Sequence, residues 1–337
     1  MTLVSINVCV RDGVSWVDEC LHALVNQTHR PLEIILVDDG SSDGTTMKVE
    51  EWGKHELVES ISTPPLGLSA ARMAAVEASK GTWVAITDID VRPEPDWIEK
   101  MLLQLSASEE ENVHAVTGRT RFGRADDIVS QVRSIEIETK YQNRSRMTSL
   151  ANGPCSMFLR EKLLSVGGFN PEWYHAEDME VSLLLIQAGG QIIYTPEAIV
   201  SHVPETEFSR FFKKRVRDAR AHTRIVRKYP SKSRLGPGFD FMGSSWLVLC
   251  LIPLLIINVS IIAVNQLYNA ESFSLAHVLS ITVLVIWAIL FWRNPISFVI
   301  LKKPFSGLVL LILWSLAIWL GIILGVFDAV TKRNGHP

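Results

Sequence analysis

The 337-residue chain has little of what staples small folds together. Its four cysteines, Cys9, Cys20, Cys155 and Cys250, show neither CxxC spacing nor the density of a disulfide framework, which argues against a structural zinc site. Neither a GxGxxG nor a GxxxxGK[ST] loop is present, so phosphates are not expected to be cradled mainly by backbone N–H groups. The chain opens directly on a strand-like segment, and no secretory leader is expected. With 47% apolar and 20% charged residues, neither a disordered chain nor a collagen-like fibre fits.

What is present is unevenly spread. Residues 1–209 hold 17 Lys/Arg against 32 Asp/Glu, whereas residues 210–234 hold eleven Lys/Arg against the single Asp218. An acidic body followed by a dense basic block argues against a nucleic acid polymer as partner, which would want positive charge spread over a folded face. It fits a soluble domain lowered onto anionic membrane lipids.

Three apolar runs follow the block: Trp246–Val264, Leu275–Trp292 and Leu308–Phe327. Each approaches the roughly 20 residues a helix needs to cross the hydrocarbon layer, and none carries the polar stripe of a soluble amphipathic helix. The loop of residues 265–274 has no Lys or Arg, while the 293–306 loop has Arg293, Lys302 and Lys303. The rule that cations stay inside predicts three spans, a cytoplasmic amino-terminal domain on the cell membrane and an external carboxyl end. Lys332 and Arg333 lie on the wrong side of that arrangement.

In the amino-terminal part, Val4, Ile6, Val8 and Val10 alternate with small or polar residues, the period of a strand. Ser15 is expected to cap a helix whose apolar positions include Trp16, Cys20, Leu21 and Leu24. A second strand, Glu33–Val37, runs into Asp38-Asp39-Gly40, and a third, Thr82–Thr87, into Asp88-Ile89-Asp90. Alternating strands and helices predict an α/β domain with a mostly parallel sheet, whose ligands sit beyond the carboxyl ends of the strands. Both acidic clusters fall at such ends. Asp and Gly there are also ordinary turn formers. Two clusters crowded together, however, repel each other unless a divalent cation relieves them.

The run Val4–Asp12, the stretch Leu36–Thr45, Gly67-Leu68-Ser69-Ala70-Ala71-Arg72, Asp88-Ile89-Asp90 and Gly167-Gly168-Phe169 followed by Glu177-Asp178 together resemble glycosyltransferase family 2 over about residues 3–205. The resemblance implies a Rossmann-like GT-A fold and inverting hexosyl transfer from a nucleotide-sugar donor. It implies that Asp39, Arg72 and Asp88 bind the donor, that Asp90 holds Mg²⁺ or Mn²⁺, and that Asp178 is the catalytic base. His202 sits where some relatives supply a further metal ligand. The chain departs from the family pattern at Arg11-Asp12, Met73 and Leu184.

Inversion by direct displacement needs one base to deprotonate the acceptor, while the leaving diphosphate needs a hard cation held by carboxylates. Glu177-Asp178 also reads as an acidic first turn of a helix, and both roles can coexist. On a helical wheel, residues 208–229 place Phe208, Phe211, Phe212, Val216 and Ala219 on one arc and the cations on the other, as in a helix lying in a membrane interface. The alternative is a helix that packs its aromatic face on the domain. Arg215 falls inside the apolar arc and is expected to face the cleft and a phosphate, with Glu177 a further phosphate or acceptor contact. The arginines of the segment between the DXD and ED motifs, Arg119, Arg121 and Arg124 among them, are expected on the acceptor side.

These readings divide the chain into a GT-A domain (1–205), a basic juxtamembrane helix (206–236) and transmembrane helices (243–330). They point to transfer onto a lipid-linked acceptor at the cytoplasmic face, such as a polyprenyl phosphate or a glycan on a polyprenyl diphosphate. The rivals are a processive polysaccharide synthase and a non-catalytic scaffold with a transferase fold. The first usually carries a Gln-rich Arg-Trp motif that is missing after Glu177-Asp178; the second has no reason to keep mutually repelling acids.

Overall fold

The computed structural model describes residues 2–108, 112–173, 175–229, 245–267 and 275–331. The first half is doubly wound: β1 (Val4–Val10), α1 (Val17–Val25), β2 (Leu32–Asp39), α2 (Thr45–Trp52), β3 (Val58–Thr63), α3 (Leu68–Ala78) and β4 (Trp83–Asp88) give the parallel order β3-β2-β1-β4. The chain then adds β5 (Val91–Pro93), α4 (Trp97–Ser106), β6 (Val113–Phe122), α5 (Ile128–Gln142), β7 (Met147–Thr148), β8 (Ser156–Leu159), α6 (Arg160–Ser165), α7 (Glu177–Gln187) and β9 (Gln191–His202). Strand β8 runs antiparallel to both β4 and β6, β6 pairs in parallel with β9, and β5 and β7 pair antiparallel to β9. The sheet is therefore mixed, parallel on the side built first.

The strand expected third is fourth in the chain. Strand β3, Val-Glu-Ser-Ile-Ser-Thr, was hidden because only Val58 is fully buried at this sheet edge, so its sequence carries little apolar signal. Ser15 does not cap α1; Trp16 occupies that position without a side-chain hydrogen bond, its N–H donating to the Gly13 carbonyl at 2.9 Å. Strands β1, β2 and β4 are buried on both faces. Val4, Ile6 and Val8 look toward α1 and α4, and Val84 and Ile86 toward α6 and α7.

Beyond β9 come α8 (Phe208–Lys228), α9 (Ser245–Leu267), α10 (Leu275–Trp292), α11 (Ile296–Lys302) and α12 (Pro304–Thr331). Helices α9, α10 and α12 are each long and apolar enough to cross a membrane. Helix α8 is flanked on two sides. Ala221 and Ile225 pack on Trp173, Met179 and Leu183 of the amino-terminal domain, while Phe211, fully buried, meets Trp314 of α12 edge-on with ring centroids 5.5 Å apart. The expected aromatic arc is thus divided between two protein surfaces instead of facing lipid as a unit.

Candidate active site

Strand β1 connects through α1 to β2 on one side, and the chain later crosses back through α3 to β4 on the other. The carboxyl ends of β1 and β4 therefore frame the crevice where open α/β sheets bind ligands. Asp38 and Asp39 end β2 and Asp88 ends β4, so the acidic clusters flank β1 and are not adjacent to each other.

Asp38 and Asp39 are engaged by the fold itself. Asp38 accepts from the Ser41 N–H (3.0 Å) and the Thr46 hydroxyl (2.6 Å). Asp39 accepts from the N–H groups of Leu66 (2.8 Å) and Gly67 (3.0 Å) at the entry to α3, with exposed Arg11 3.9 Å away. Gly67 has φ +96°, a backbone conformation that a side chain would strain, and this turn lets both amides point at one carboxylate. Asp12, one of the departures from the family pattern, ties the β1 loop to the β2 loop by accepting from the Ser42 N–H at 2.7 Å.

Arg72, on α3 and almost wholly buried, donates to Asp88 at 2.7 Å and pairs with Glu177. Gly153 lies against its guanidinium, where a Cβ would crowd it. One arginine thus joins the end of β4 to the start of α7, across about ninety residues of chain. Arg72 and Glu177 neutralise each other and position Asp88, which keeps about a third of its side chain exposed to the cleft. Buried Glu177 still has one oxygen, Oε2, without a hydrogen-bond partner.

Asp178 follows in the first turn of α7. Its Oδ2 accepts from the Gly153 N–H at 2.9 Å and Oδ1 from the Met179 N–H at 2.8 Å. Desolvation, then the adjacent Glu177 charge, push its pKa up to about 6. It is a carboxylate ionised near neutral pH yet far more basic than an exposed one. The residue before the pair, Ala176, caps α7 in the left-handed region at φ +71°, uncommon for a residue with a Cβ. That kink turns the first turn of α7, with both acids, into the cleft.

Asp90 and His202 meet on the other wall, Oδ2 to Nε2 at 3.4 Å. The Nδ1–H of His202 donates to the Val203 carbonyl at 2.8 Å, and burial lowers the imidazole pKa, so the neutral ring turns its Nε2 lone pair toward a carboxylate oxygen. Two electron-pair donors at that distance suit a cation between them. Among the described residues no group of three or more His, Cys, Asp or Glu is placed to hold a metal alone. A cation here would need further ligands from a bound phosphate. Arg210, 3.6 Å from Asp90 and stacked over Trp16, and Lys214 border the same point; neither stood out in the sequence from the other cations of its block.

Arg215 does not face a free phosphate site. It is buried, bound to Asp218 at 2.8 Å and 3.6 Å from Glu136. Although burial opposes it, Arg215 and His175 together hold Asp218 well below the usual carboxylate range. His175 donates to Asp218 at 2.9 Å. Next to it opens a cavity of about 440 Å³ lined by His175, Phe212, Lys213, Arg217, Arg224 and Leu320, among others. The sequence showed these cations but not which of them the fold would spend on ion pairs. A second recess, of about 370 Å³, is lined by Arg119, Arg121, Arg124, Phe122 and Glu138, where the arginine-rich segment was expected to contribute.

Residues 5–167 match the family model described as Glycosyl transferase family 2. That segment, just under half of the chain, is the part that carries the resemblance to glycosyltransferase family 2. Among curated relatives, an N-acetylglucosaminyltransferase of Rhizobium sp. is 25% identical over 250 residues, covering 69% of this chain and 54% of that one. The O-antigen chain rhamnosyltransferase WbaN of Salmonella anatum is 26% identical over 213 residues, covering 59% and 67%. The two relatives matched first, from Bacillus subtilis and Haemophilus influenzae, are 38% and 33% identical, but the chain spans only about a third of their length. Among solved structures, a mannosyltransferase of Pyrobaculum calidifontis, in complex with GDP-Man and Mn²⁺, superposes with a TM-score of 0.64 at 19% identity over 98% of this chain and 87% of that one. GalNAc-T7, with UDP, GalNAc and Mn²⁺, superposes with a TM-score of 0.53 at 17% identity over 69% and 49%. These likenesses establish the GT-A fold, and the first extends it through the apolar helices.

Proposed function

We propose that the chain is a membrane-anchored, inverting glycosyltransferase that moves a hexosyl group from a nucleotide-sugar donor to a lipid-linked acceptor. The observation that carries the reading is Arg72: by holding Asp88 and Glu177 at once, it draws the end of β4 and the start of α7, where Asp178 follows Glu177, to one cleft. Asp178, kept basic by burial and by Glu177, takes the proton from the acceptor oxygen as that oxygen attacks the anomeric carbon. Gly153 N–H and Met179 N–H fix its two oxygens, so the base is oriented before the acceptor arrives. Asp90 and His202 would hold Mg²⁺ or Mn²⁺, which when bound offsets the charge on the diphosphate leaving group. Asp39 acts on the donor side through Gly67 and the start of α3.

The acceptor side is supported by the cavity beside His175. Its cations suit a phosphate and its Phe212 and Leu320 an apolar chain, which together describe an amphiphile such as a polyprenyl phosphate or a lipid-borne glycan. The cations of the basic helix support a mouth at the height of an anionic cytoplasmic leaflet. A non-catalytic scaffold is disfavoured by the raised pKa of Asp178 in an otherwise neutralised cleft. Membranes containing the protein, incubated with a panel of radiolabelled nucleotide sugars and Mn²⁺ and then extracted with organic solvent, test the reading. Label should pass into the lipid phase with one donor; label in no acceptor fraction with any donor would refute it.

A further inference from the structure

The three apolar helices have similar composition but different neighbours. Helix α12 runs beside α8 in the same direction. Trp314 meets Phe211, Gly321 lies on the Val216 carbonyl and Ala219, Gly325 on the Arg220 carbonyl and Thr223, and Asp328 receives Arg220 through two hydrogen bonds of 2.6 and 2.8 Å. A Cβ on either glycine would collide with the backbone of α8, so the Gly-x-x-x-Gly seam is what permits this approach. Contact is sustained from Phe211 to Thr223, about 18 Å of helix at 1.5 Å per residue.

Both ends of α12 are held at the amino-terminal domain. Just before it, Lys303 donates to the Asp126 carbonyl at 2.7 Å. Near its far end, Asp328 is fixed to α8, which is itself bound to the domain by Arg215–Asp218–His175 and by Lys228 and Tyr229 on Glu180. A helix of 28 residues is about 42 Å long; if it left the domain to cross about 30 Å of hydrocarbon, its two ends could not both return to it. Nor can α8, with eight Lys and Arg between Arg210 and Arg224 and at Arg227, accompany it into the bilayer core.

Helices α9 and α10 behave otherwise. Helix α9 is hydrogen-bonded to α12 near its domain-proximal end, and α10 is bonded there to α9. Pro253 in α9 has no N–H, and the Leu249 carbonyl it leaves open accepts from the Trp319 indole at 2.9 Å, while Trp287 of α10 donates to the Leu247 carbonyl at 2.8 Å. Farther out, Asn258 and Ser280 join the two helices to each other, and Ile256, Val259, Ile262, Val278 and Leu279 are exposed.

We propose that only α9 and α10 cross the membrane, as a hairpin, and that α12 lies in the plane of an anionic leaflet beneath the amino-terminal domain, leaving Thr331 on that domain's side. The occupant of its outer face is lipid: acyl chains against Leu308, Leu316, Ile323 and Phe327, with headgroup phosphates reaching Lys213 and Arg227 of α8. This replaces the three-span expectation, and it removes that expectation's anomaly, since the sequence Lys332-Arg333 then follows on the side where cations are retained. It is independent of the transfer reaction.

The test uses the full chain with Cys250→Ser in phosphatidylcholine/phosphatidylglycerol vesicles, adding one probe at a time: Met47→Cys on the domain, Leu267→Cys at the end of α9, and Val330→Cys near the end of α12. A membrane-impermeant maleimide should label Met47→Cys and Val330→Cys from one side and Leu267→Cys from the other; labelling of Val330→Cys together with Leu267→Cys overturns the proposal. Spin labels at Leu316→Cys and Ile256→Cys give an independent reading of depth. Leu316 should lie at headgroup level and Ile256 in the hydrocarbon; a Leu316 label as deep as that at Ile256 overturns it equally.

Discussion

The acidic cleft and the basic helix treat charge in the same way with opposite sign. In the cleft, Asp38 and Asp39 are held by backbone amides and a hydroxyl, and Glu177 and Asp88 by Arg72. Asp178, also anchored by amides, has no ion pair among the described residues and a raised pKa, and Asp90 faces an imidazole lone pair. On α8, Arg215, Arg220 and Lys228 are bound to Asp218, Asp328 and Glu180, while Lys213, Arg217 and Arg224 line a cavity with looser contacts of their own, Arg217 at 3.8 Å from Asp218 and Arg224 over the Trp173 ring. The lesson is that abundance of a charge type does not mark the site. The groups available for chemistry are the ones that the fold does not consume.

The comparison can be broken at the cleft first. Asp178→Asn should lower transfer by about 10²- to 10⁴-fold, the range for loss of a general base, with donor affinity unchanged in equilibrium binding. Asp39→Asn should act instead through stability, weakening the turn at Gly67, and so lower the melting temperature before it alters donor specificity. Equal behaviour of the two variants would mean that Asp178 is one more structural acid.

On the basic side, Asp328→Ala removes two hydrogen bonds from the partly buried Arg220 and should cost about 3 kcal/mol, read as a lower melting temperature in detergent. Replacing both partners by apolar residues, Arg220→Met with Asp328→Leu, should recover most of that loss. By contrast, Arg217→Ala with Arg224→Ala gives up only a 3.8 Å ion pair with Asp218 and stacking on Trp173, so it should cost less stability than Asp328→Ala and raise the Michaelis constant for a phosphate-bearing lipid acceptor about tenfold, taking roughly 1.4 kcal/mol as one decade. The donor constant should not move.

The pH dependence sharpens the same contrast. The base acts ionised and its pKa is raised to about 6, so the rate should be full near pH 7.5 and fall about tenfold per pH unit below 6. An exposed carboxylate would hold its rate to about pH 4. The smallest effect is expected at Ala176, where Gly would remove the penalty of the left-handed conformation at the expense of a more flexible unfolded chain. The net gain should be under about 1 kcal/mol by thermal melting.

Much of the architecture was legible in residues alone. The alternation from Val4, the acidic ends of β2 and β4, and the apolar runs after residue 245 each encode their element through local periodicity. Strand β3 was not, because an edge strand needs few apolar residues, and Ser15 misled because a good cap residue can stand one position too early. Arg215 was recognised as anomalous on its helical face; Asp218 stands within reach three residues on in the same helix, but Glu136 comes from α5 and His175 from the segment before α7, and only their meeting shows that the charge is spent internally. His175 and Gly153 carried no signal, since an imidazole and an amide acquire meaning only from what stands opposite them.

By itself the sequence determined that an α/β domain with strand-end acids is followed by a cationic helix and three lipid-compatible segments. Periodicity and composition are local properties, and local chain physics reads them directly. Tertiary structure alone decided which acid stays basic, which cations remain available and how far each apolar helix is bound to protein, because burial and pairing depend on residues brought together from distant parts of the chain.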